Sequence, residues 1–487
     1  MTSDFLQTLL SNAWSILLVA LFFGGSIFVH ELGHFLAARW RGVKVERFSI
    51  GFGPAIFSWR GRDGVEYRLA WIPLGGYVLL PQLADLGPVE GKSEVDVEKL
   101  PPISYSSKMI VFAAGALFNV IFAFALASVI WVIGQPENSD TASTRIGYIT
   151  NTLELKTGVT VASPAVEAGL KVGDIIQAID GHPVTKWFDI YTLIGLGAGQ
   201  SADGRREALF TILRDGRVLQ ITVHPRLVGE EQERKVGLLP SYELNVVQVA
   251  PDGIAAKAGF LLGDIILSLD GQPLLNVYTY QDLLEASSSR AVTTRVKRIV
   301  TVGEKLVERE LDLVVPARPQ AKSAANIGLA LSPGFTLIHP NPFTQVADQV
   351  TMSFRTIWSL INPHSDIGIS KLTGPVGIVR IFHSAAEAGI RPVLMFTILL
   401  NMSLAIFNLL PIPVLDGGQM MFATIGRLRG RALPVNFIMA ANSVFILLLL
   451  SMVIYVSVFD VRRLNRDRAA DAAAGVPPAA TPAPAKP

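Results

Sequence analysis

Four long apolar stretches without a charged residue interrupt an otherwise mixed pattern of hydrophobic and polar positions. A helix needs about 20 apolar residues to cross the hydrocarbon core of a bilayer. Each stretch therefore predicts a transmembrane helix rather than a helix buried in a soluble core. The stretches are residues 5–29, 110–133, 393–415 and 433–459. The first lacks a basic leader and a small-residue cleavage site, so we expect it to be retained.

Residues 45–80, between the first two stretches, alternate polar and apolar positions and carry Arg62, Asp63 and Gly64 near their centre. Alternation on both sides of an Asp-Gly turn predicts a β-hairpin. The segment is too apolar for a free loop, so we expect it to associate with the membrane part. A small sheet that only caps the helices is the alternative.

An internal repeat lies between the second and third stretches. Residues 168–183, AGLKVGDIIQAIDGHP, recur at 258–273 as AGFLLGDIILSLDGQP, with nine of sixteen positions identical. Two copies 90 residues apart predict two small domains of one type rather than a solenoid. The copies resemble the PDZ domain, which binds an extended peptide at an open sheet edge. A rigid spacer that binds no peptide is the alternative.

These patterns predict a polytopic α-helical membrane protein of about four transmembrane helices, with a membrane-associated β-hairpin region and two inserted α+β PDZ-like domains. Residues 343–361 have the pattern of an amphipathic helix on the membrane surface, and we expect the Ala/Pro-rich end to be disordered. The predicted boundaries are 1–44 for the first transmembrane helix, 45–107 for the hairpin region and its loop, 108–136 for the second transmembrane helix, 140–235 and 236–318 for the PDZ-like domains, 319–392 for a peripheral linker, 393–465 for the last two transmembrane helices and 466–487 for the disordered tail.

The composition agrees with this plan. Half of the residues are hydrophobic, 17% are charged and the mean hydropathy is +0.42, which is typical of a membrane protein with soluble insertions. The net charge of +2 says little about partners, and because no basic cluster is present, no nucleic-acid partner is expected. The chain has no cysteine, so disulfides and thiolate metal sites are excluded.

His30, Glu31 and His34 form a His-Glu-x-x-His motif where the first apolar stretch ends. Histidines four residues apart point the same way on a helix and can share one zinc ion, with the glutamate beside them as a base toward water. A buried polar trio that ties helices together is the alternative. Three ionisable groups at the edge of a membrane helix are costly without a function, which favours the metal site.

Asp416 is the best candidate for a third ligand. A catalytic zinc needs three protein ligands and one open position, and none of the other five histidines lies in a predicted transmembrane stretch. Asp416 follows Pro411 and Pro413, which interrupt regular helix. Irregular backbone at membrane depth is tolerated only where it is buried or lines a water-filled cavity. We therefore expect Asp416 to face His30 and His34, although alone it could be a turn or cap residue.

Several polar residues in the apolar stretches are further candidates. Asn401 and Asn408 lie on one helical face, and either could donate to a substrate carbonyl. Hydrogen bonding between helices is the structural alternative. We favour a substrate-binding role for Asn408 because it lies near the helix break. Gly115 and Asn119 are also one turn apart, and close helix packing explains them as well as catalysis does.

The histidine motif, the two PDZ-like repeats and NLLPIPVLDGG at 408–418 together resemble the site-2 protease family of intramembrane zinc metalloproteases, above all its bacterial branch of sigma-E regulators. Three short elements fit the same family, namely GFGP at 51–54, PLGGYV at 73–78 and TGPVGI at 373–378. The resemblance covers the chain up to about residue 465. Two features depart from it: Ala116 stands where the family usually has proline, and residues 79–90 differ from the usual loop. These departures bear on substrate preference and on packing of the second transmembrane helix.

The resemblance implies that His30, His34 and Asp416 bind Zn²⁺, that Glu31 is the general base and that Asn408 binds substrate. The implied substrates are single-span membrane proteins, commonly anti-sigma factors already trimmed by another protease, or leftover signal peptides. The other implied partners are the lipid bilayer and peptide ligands of the PDZ-like domains. We expect the two PDZ-like domains to control the access of substrates to the site.

The resemblance also implies a multi-pass protein of the bacterial inner membrane, with periplasmic PDZ-like domains and an active site near the cytoplasmic side. Basic residues at 39–47 and 427–431 agree with this orientation, because short cytoplasmic loops are rich in Lys and Arg. The arginines at 462–468 argue against it.

Two other classes of function compete with the protease. A catalytically inactive membrane-anchored PDZ scaffold would lack a ligand or the base, and none is missing. A metal transporter would place ionisable residues in several spans and repeat its membrane halves, whereas here the repeats lie in the inserted part.

Overall fold

The computed structural model describes residues 2–83, 100–229, 232–302, 305–318, 326–368 and 371–473. They form two compact units. The first comprises Met1–Gln135, His339–Phe354 and Ile369–Pro487, and the second comprises Pro136–Ile338 and Arg355–Gly368. The four apolar stretches fall in the first unit and the sequence repeats in the second.

The helices, in chain order, are α1 (Thr2–Trp40), α2 (Tyr105–Ile133), α3 (Ser139–Ala142), α4 (Pro164–Glu167), α5 (Trp187–Gly195), α6 (Ile254–Ala258), α7 (Val277–Ala286), α8 (Pro342–Ile361), α9 (Pro375–Ala388), α10 (Ile390–Asn408), α11 (Asp416–Leu428) and α12 (Val435–Ala473). The strands are β1 (Arg47–Arg60), β2 (Glu66–Leu79), β3 (Gln135–Asn138), β4 (Ile146–Ile149), β5 (Thr152–Glu154), β6 (Thr160–Ala162), β7 (Ile175–Ile179), β8 (His182–Pro183), β9 (Ala208–Arg214), β10 (Arg217–Val223), β11 (Arg226–Val228), β12 (Glu233–Lys235), β13 (Leu238–Pro240), β14 (Leu244–Val249), β15 (Ile265–Leu269), β16 (Gln272–Pro273), β17 (Val292–Val302), β18 (Lys305–Val315), β19 (Leu329–Pro333) and β20 (Phe335–Ile338).

Four helices are long and apolar enough to cross a membrane, and they lie at the four predicted stretches. Their apolar segments are Leu17–Trp40 in α1, Tyr105–Ile133 in α2, Ile390–Asn408 in α10 and Val435–Arg466 in α12. The third apolar stretch is not helical to its end at residue 415, because α10 stops at Asn408 shortly before Pro411 and Pro413.

Helices α1, α2 and α10 pack closely through small residues. Gly33 of α1 lies against the main-chain carbonyl of Ala114 in α2, where a Cβ would collide with that backbone. Ala123 and Ala127 of α2 are fully buried in a cluster with Ile398 of α10. Small side chains let membrane helices approach closely enough for van der Waals packing and hydrogen bonds. Close packing against α2 therefore fixes the position of α1, the helix that carries the histidine motif.

The predicted β-hairpin is formed by β1 and β2, which pair antiparallel with several register irregularities. Phe48 and Val78 are buried in one cluster with Phe35 of α1 and Val111 of α2. At the other end of the hairpin Trp59 is 51% exposed. One end is thus packed on the helices that carry the site, while association of the hairpin with a membrane stays a prediction.

Each sequence repeat forms an antiparallel sheet with short helices. The first sheet has the order β10-β9-β7-β8, and the second has the order β18-β17-β15-β14-β19 with β16 beside β15. The Gly-Asp pair of each repeat has the same structural role. Asp174 accepts two hydrogen bonds from Arg214, and Asp264 accepts two from Arg298. Both carboxylates are buried, so removing either arginine would leave a buried charge without its partner.

Three observed boundaries differ from the expected ones. The sheet of the second repeat extends beyond residue 318, because β19 pairs with β14. Strand β13 lies past residue 235 but pairs with β4 of the first repeat. These are pairings between distant residues, which local patterns do not reveal.

Helix α12 continues through residues 466–473, which were expected in the disordered tail. This Ala- and Arg-rich segment favours helix. Residues 474–487 lie outside the described residues, as do residues 84–90 of the divergent loop.

The segment TGPVGI begins helix α9 against helix α12. The carboxylate of Asp460 in α12 accepts hydrogen bonds from the amides of Gly374 and Gly377, at 3.0 and 2.9 Å. A Cβ on either glycine would press on this carboxylate. A negative charge at a helix N-terminus is favourable, so Asp460 caps α9 from another helix.

Candidate active site

His30 and His34 lie one turn apart on α1 and turn their imidazoles toward each other. Their Nε2 atoms are 3.2 Å apart. The Oδ2 atom of Asp416 lies 3.3 Å from Nε2 of His30 and 3.4 Å from Nε2 of His34. Three potential ligand atoms, predicted from two distant parts of the sequence, therefore meet at one point.

The chain reverses tightly between α10 and α11 to bring Asp416 to this point. Asp416 is the first residue of α11. Gly417 and Gly418 press on the main chain of residues 409–413, where a Cβ would collide with carbonyl groups. The side chain of Gln419 donates to the carbonyl of Pro413 at 3.2 Å. The Pro and Gly residues of this segment thus allow a compact turn, in which larger side chains would not fit at the glycines. This turn presents the carboxylate of Asp416 to the two histidines.

The outer nitrogen of each imidazole is held by α2. Nδ1 of His34 lies 2.8 Å from the carbonyl of Val111, which can only accept, so Nδ1 carries the proton and Nε2 is free to bind a metal. Nδ1 of His30 lies 3.2 Å from the side-chain amide of Asn119. The amide oxygen of Asn119 is buried and has no partner in the described structure. Turning the amide over lets this oxygen accept from Nδ1 of His30, which frees Nε2 of His30 in the same way.

Gly115 of α2 makes room for both imidazoles. A Cβ at this position would collide with the rings of His34 and His30. From the sequence alone, close packing and catalysis explain Gly115 and Asn119 equally well, and the structure places both residues directly beside the histidines. The one available signal was their spacing of one helical turn on the second span.

Glu31 faces a cavity of about 280 Å³ that the two histidines and Asp416 also line. Its side chain passes close to Gly76 of β2, where a Cβ would press on it. The cavity is closed on further sides by β1 and β2 and by Asn408. A carboxylate thus lies next to the three ligand atoms, in a space large enough for a short segment of another chain.

The two asparagines of α10 differ in their surroundings. Nδ2 of Asn408 lies 3.4 Å from Nε2 of His30, and the residue lines the cavity. Asn401 is fully buried and donates to Ser26 and to the carbonyl of Thr397. Asn401 therefore links α10 to α1, whereas Asn408 faces the site.

The donor set fits a zinc ion. A tetrahedral zinc with nitrogen and oxygen ligands at about 2.0–2.2 Å places its ligand atoms about 3.3–3.6 Å apart. Two of the separations here, 3.3 and 3.4 Å, lie in this range, and the third, 3.2 Å, lies just below it. The Oδ2 atom of Asp416 is buried and accepts no hydrogen bond among the described residues. A buried carboxylate oxygen without a donor is costly, and a cation at this point would satisfy it.

The family model described as peptidase family M50 matches residues 18–452, which is most of the chain. The chain belongs to peptidase family M50. The match spans both the histidine motif and Asp416, so the resemblance to site-2 proteases is confirmed, and so is the prediction of a zinc metalloprotease.

Relatives of this M50 peptidase match over nearly their whole length. The regulator of sigma-E protease RseP of Escherichia coli (strain K12) is 27% identical over 486 residues, which cover 92% of this chain and 99% of the relative. Protease RseP of Yersinia pestis is 27% identical over 482 residues, with the same coverage. A Neisseria meningitidis protein named as a candidate zinc metalloprotease is 29% identical over 447 residues, covering 88% of this chain and 93% of its own.

A likeness to a solved structure is much weaker. The PDZ domain of an SdrC-like protein from Listeria monocytogenes matches 18% of this chain and 85% of its own at 21% identity, with a TM-score of 0.14. A similarity this low carries no argument, so the PDZ-like nature of the two repeats stays a prediction.

Proposed function

We propose that this M50 peptidase is an intramembrane zinc metalloprotease that hydrolyses peptide bonds in or near the transmembrane segment of single-span membrane proteins. The observation that carries the proposal is that His30 and His34, on a helix that can cross a membrane, meet Asp416 beside Glu31. Anti-sigma factors and leftover signal peptides are the proposed substrates, which is in keeping with relatives named regulators of sigma-E protease.

His30, His34 and Asp416 would hold the zinc ion, with Val111 and Asn119 orienting the imidazoles. When bound, zinc supplies a Lewis acid for the scissile carbonyl and lowers the pKa of water, as in other metallopeptidases. The chain's own residues must supply the proton transfers and the binding of the substrate.

Glu31 is the proposed general base. Its carboxylate lines the same cavity as the ligand atoms, so it can take a proton from the attacking water and then give it to the leaving amine. Asn408 lines the cavity on another side and can donate from its amide to the substrate carbonyl oxygen, where negative charge develops.

The hairpin of β1 and β2 is the proposed holder of the substrate backbone. A peptide in a helix keeps its carbonyls in hydrogen bonds, so the substrate must unwind before hydrolysis. Residues of both strands line the cavity, among them Phe52 of β1 and Tyr77 of β2. An extended substrate can pair with such an edge as an added strand.

The proposed location is the inner membrane of a bacterium, with the repeats in the periplasm and the site near the cytoplasmic side. The basic residues at 39–47 and 427–431 support this orientation. In this arrangement the two repeats act on access of substrates, and an extended peptide is their proposed ligand. The alternative of an inactive scaffold is disfavoured, because the ligand set and the base are complete.

The decisive experiment is co-expression of the full chain with candidate single-span proteins, comparing the native sequence with Glu31→Gln. Glu31→Gln should lower cleavage by about 10²–10⁴-fold, the usual effect of losing a general base, while bound zinc stays stoichiometric. Glu137→Gln, a change of the same kind outside the site, should cleave normally. Equal cleavage by the native chain and Glu31→Gln would rule out the assignment of the base, and a chain without zinc would rule out the metalloprotease mechanism.

A further inference from the structure

A second cavity, of about 480 Å³, opens beside the catalytic one in the first unit. It lies between the start of α2, the end of α11 and the start of α12. Tyr105 and Val435 are the first residues of the two candidate membrane spans there, and both line the cavity. A helix crosses the hydrocarbon core with about 20 residues, so in a bilayer spanned by these longer helices the cavity at their first residues would lie near the lipid headgroups.

Three cationic side chains line this headgroup-level cavity, namely Lys108, Arg427 and Arg431. None of them has a carboxylate partner within the part of the chain that the structure describes. The guanidinium carbon of Arg427 lies 5.2 Å from the centroid of the Tyr105 ring. The hydroxyl groups of Tyr105 and Thr424 form a hydrogen bond of 3.0 Å. On one side of the cavity the cation of Arg427 is thus held against an aromatic ring, and among the described residues the lining has more positive than negative charges.

The remaining walls are apolar. Phe422, Leu433 and Ile438 are buried side chains that line the cavity and form one hydrophobic cluster. From there α12 continues with exposed apolar side chains such as Phe437, which is 55% exposed. A ligand with an anionic head and apolar chains would match the cations inside and the apolar helix surface outside.

We propose that this cavity binds the phosphodiester headgroup of an anionic phospholipid, with the acyl chains along α12. Basic pockets between membrane helices are suited to such headgroups. A phospholipid is favoured over free phosphate because the cations lie at a span boundary and share their cavity with apolar walls. The inference concerns binding and does not depend on the proposed protease activity.

A lipid bound in this cavity would contact residues that also line the catalytic cavity. The two cavities share Leu83, Phe112 and Gln419 as lining residues. Gln419 also holds the turn that presents Asp416. A lipid in the second cavity would therefore pack on the residue that supports the third ligand of the site.

The test is a lipid titration of the full-length protein in mild detergent, followed by native mass spectrometry. The probes are dioleoylphosphatidylglycerol, dioleoylphosphatidylcholine and inorganic phosphate. Lys108→Gln and Arg431→Gln should each weaken binding of the anionic lipid about fivefold, the effect expected for one basic residue near an anionic headgroup. Arg429→Gln is the matched control, because Arg429 lies close to Arg431 in sequence but does not line the cavity. The affinity of this variant for the anionic lipid should change by less than about twofold.

A second variant keeps the cavity's charge and fills its space. Ala432→Trp, at an exposed lining position, should also weaken binding of the anionic lipid. The unfolding temperature of every variant is measured to check that the protein remains folded. Equal weakening by Arg429→Gln and Arg431→Gln would overturn the proposal, because binding would then be a general effect of surface charge. Equal affinity for phosphatidylcholine, or full displacement of the lipid by millimolar inorganic phosphate, would overturn it as well.

Discussion

The Oδ2 atom of Asp416 lies 3.3 Å from Nε2 of His30, although the two residues stand near opposite ends of the chain. With His34 they form a triangle of donor atoms of the size that a tetrahedral zinc requires. A site assembled from two distant helices depends on each of them, so a change in either should release the metal.

Asp416→Asn should therefore reduce zinc affinity by more than about 100-fold, because loss of a residue that only supports a ligand already costs about 10–100-fold. The measurement is zinc content after dialysis against graded chelator concentrations. Asp215→Asn, a carboxylate-to-amide change at an exposed turn of the second unit, is the control and should retain the ion. Full zinc occupancy in Asp416→Asn would mean that the third ligand lies elsewhere.

Gly115→Ala should abolish both zinc binding and cleavage. The added methyl group would occupy the space of the two imidazoles, so the rings must move away from α2 or α2 must shift. Gly25→Ala is a matched control, since Gly25 lies in helix α1 with open space at its Cβ position. Zinc content and cleavage should be unchanged in that control, and an active Gly115→Ala enzyme would contradict the packing described here.

Asn119→Leu should lower zinc affinity by about 10–100-fold, because His30 loses the partner that fixes its tautomer and ring orientation. Asn119→Asp keeps an oxygen that can accept from Nδ1 of His30, and it should restore most of the affinity. A purely structural role would predict similar affinities for the two variants, so competition with a chelating dye decides between the roles.

Tyr77→Pro should reduce cleavage of a membrane substrate about fivefold or more, because proline removes the backbone N–H of β2 beside the cavity. Tyr77→Ala removes the same side chain but keeps the N–H, so the comparison separates loss of the backbone N–H from loss of the side chain. Zinc content should be equal in both variants. If both cleave equally well, the hairpin does not bind the substrate as a strand through this residue.

Asp366 accepts two hydrogen bonds from Arg206, at 2.8 and 2.7 Å, and another from Arg234. Burial acts to raise the pKa of Asp366, but the hydrogen bonds and charges of Arg206 and Arg234 outweigh it and hold the pKa below its usual range. The group binds its proton less readily in the folded state. Its contribution to stability is therefore full above about pH 4 and is lost as the pH falls through the folded pKa.

Asp366→Asn should destabilise the second unit by about 3 kcal/mol at neutral pH, since it leaves the buried Arg234 without its counter-charge. The destabilisation should shrink as the pH falls below about 4. Urea unfolding followed by the fluorescence of Trp187, which is buried in the core of the first repeat, measures both effects. The control Asp252→Asn changes an exposed carboxylate, and a pH dependence identical to that of Asp366→Asn would contradict this role of Asp366.

Much of the fold and the site followed from the sequence because the deciding signals are local. Apolar length gave the four spans, and the spacing of His30 and His34 gave their common direction on α1. The break at Pro411 and Pro413 predicted that irregular backbone would present Asp416. Contacts between elements could not be predicted in the same way. Asn119 and Gly115 owe their roles to how α2 packs on α1, and no local pattern encodes that packing.

The boundary of the second repeat illustrates the same limit. Strand β19 joins this sheet from beyond residue 318, and only its pairing with β14 makes it part of the domain. The helical continuation of α12 has a different origin. Residues 466–473 favour helix by composition, but from the sequence they are grouped with the Ala/Pro-rich end that follows them and so are expected to be disordered.

The cap that Asp460 provides for helix α9 has a consequence for the order in which the protein matures. The amides of Gly374 and Gly377 are made long before their acceptor, since a chain is synthesised from its N-terminus. Until the last span emerges from the ribosome, the start of α9 has no Asp460 to receive it. At least 83 further residues after Gly377 must therefore be synthesised, up to Asp460, before this part of the membrane domain can close.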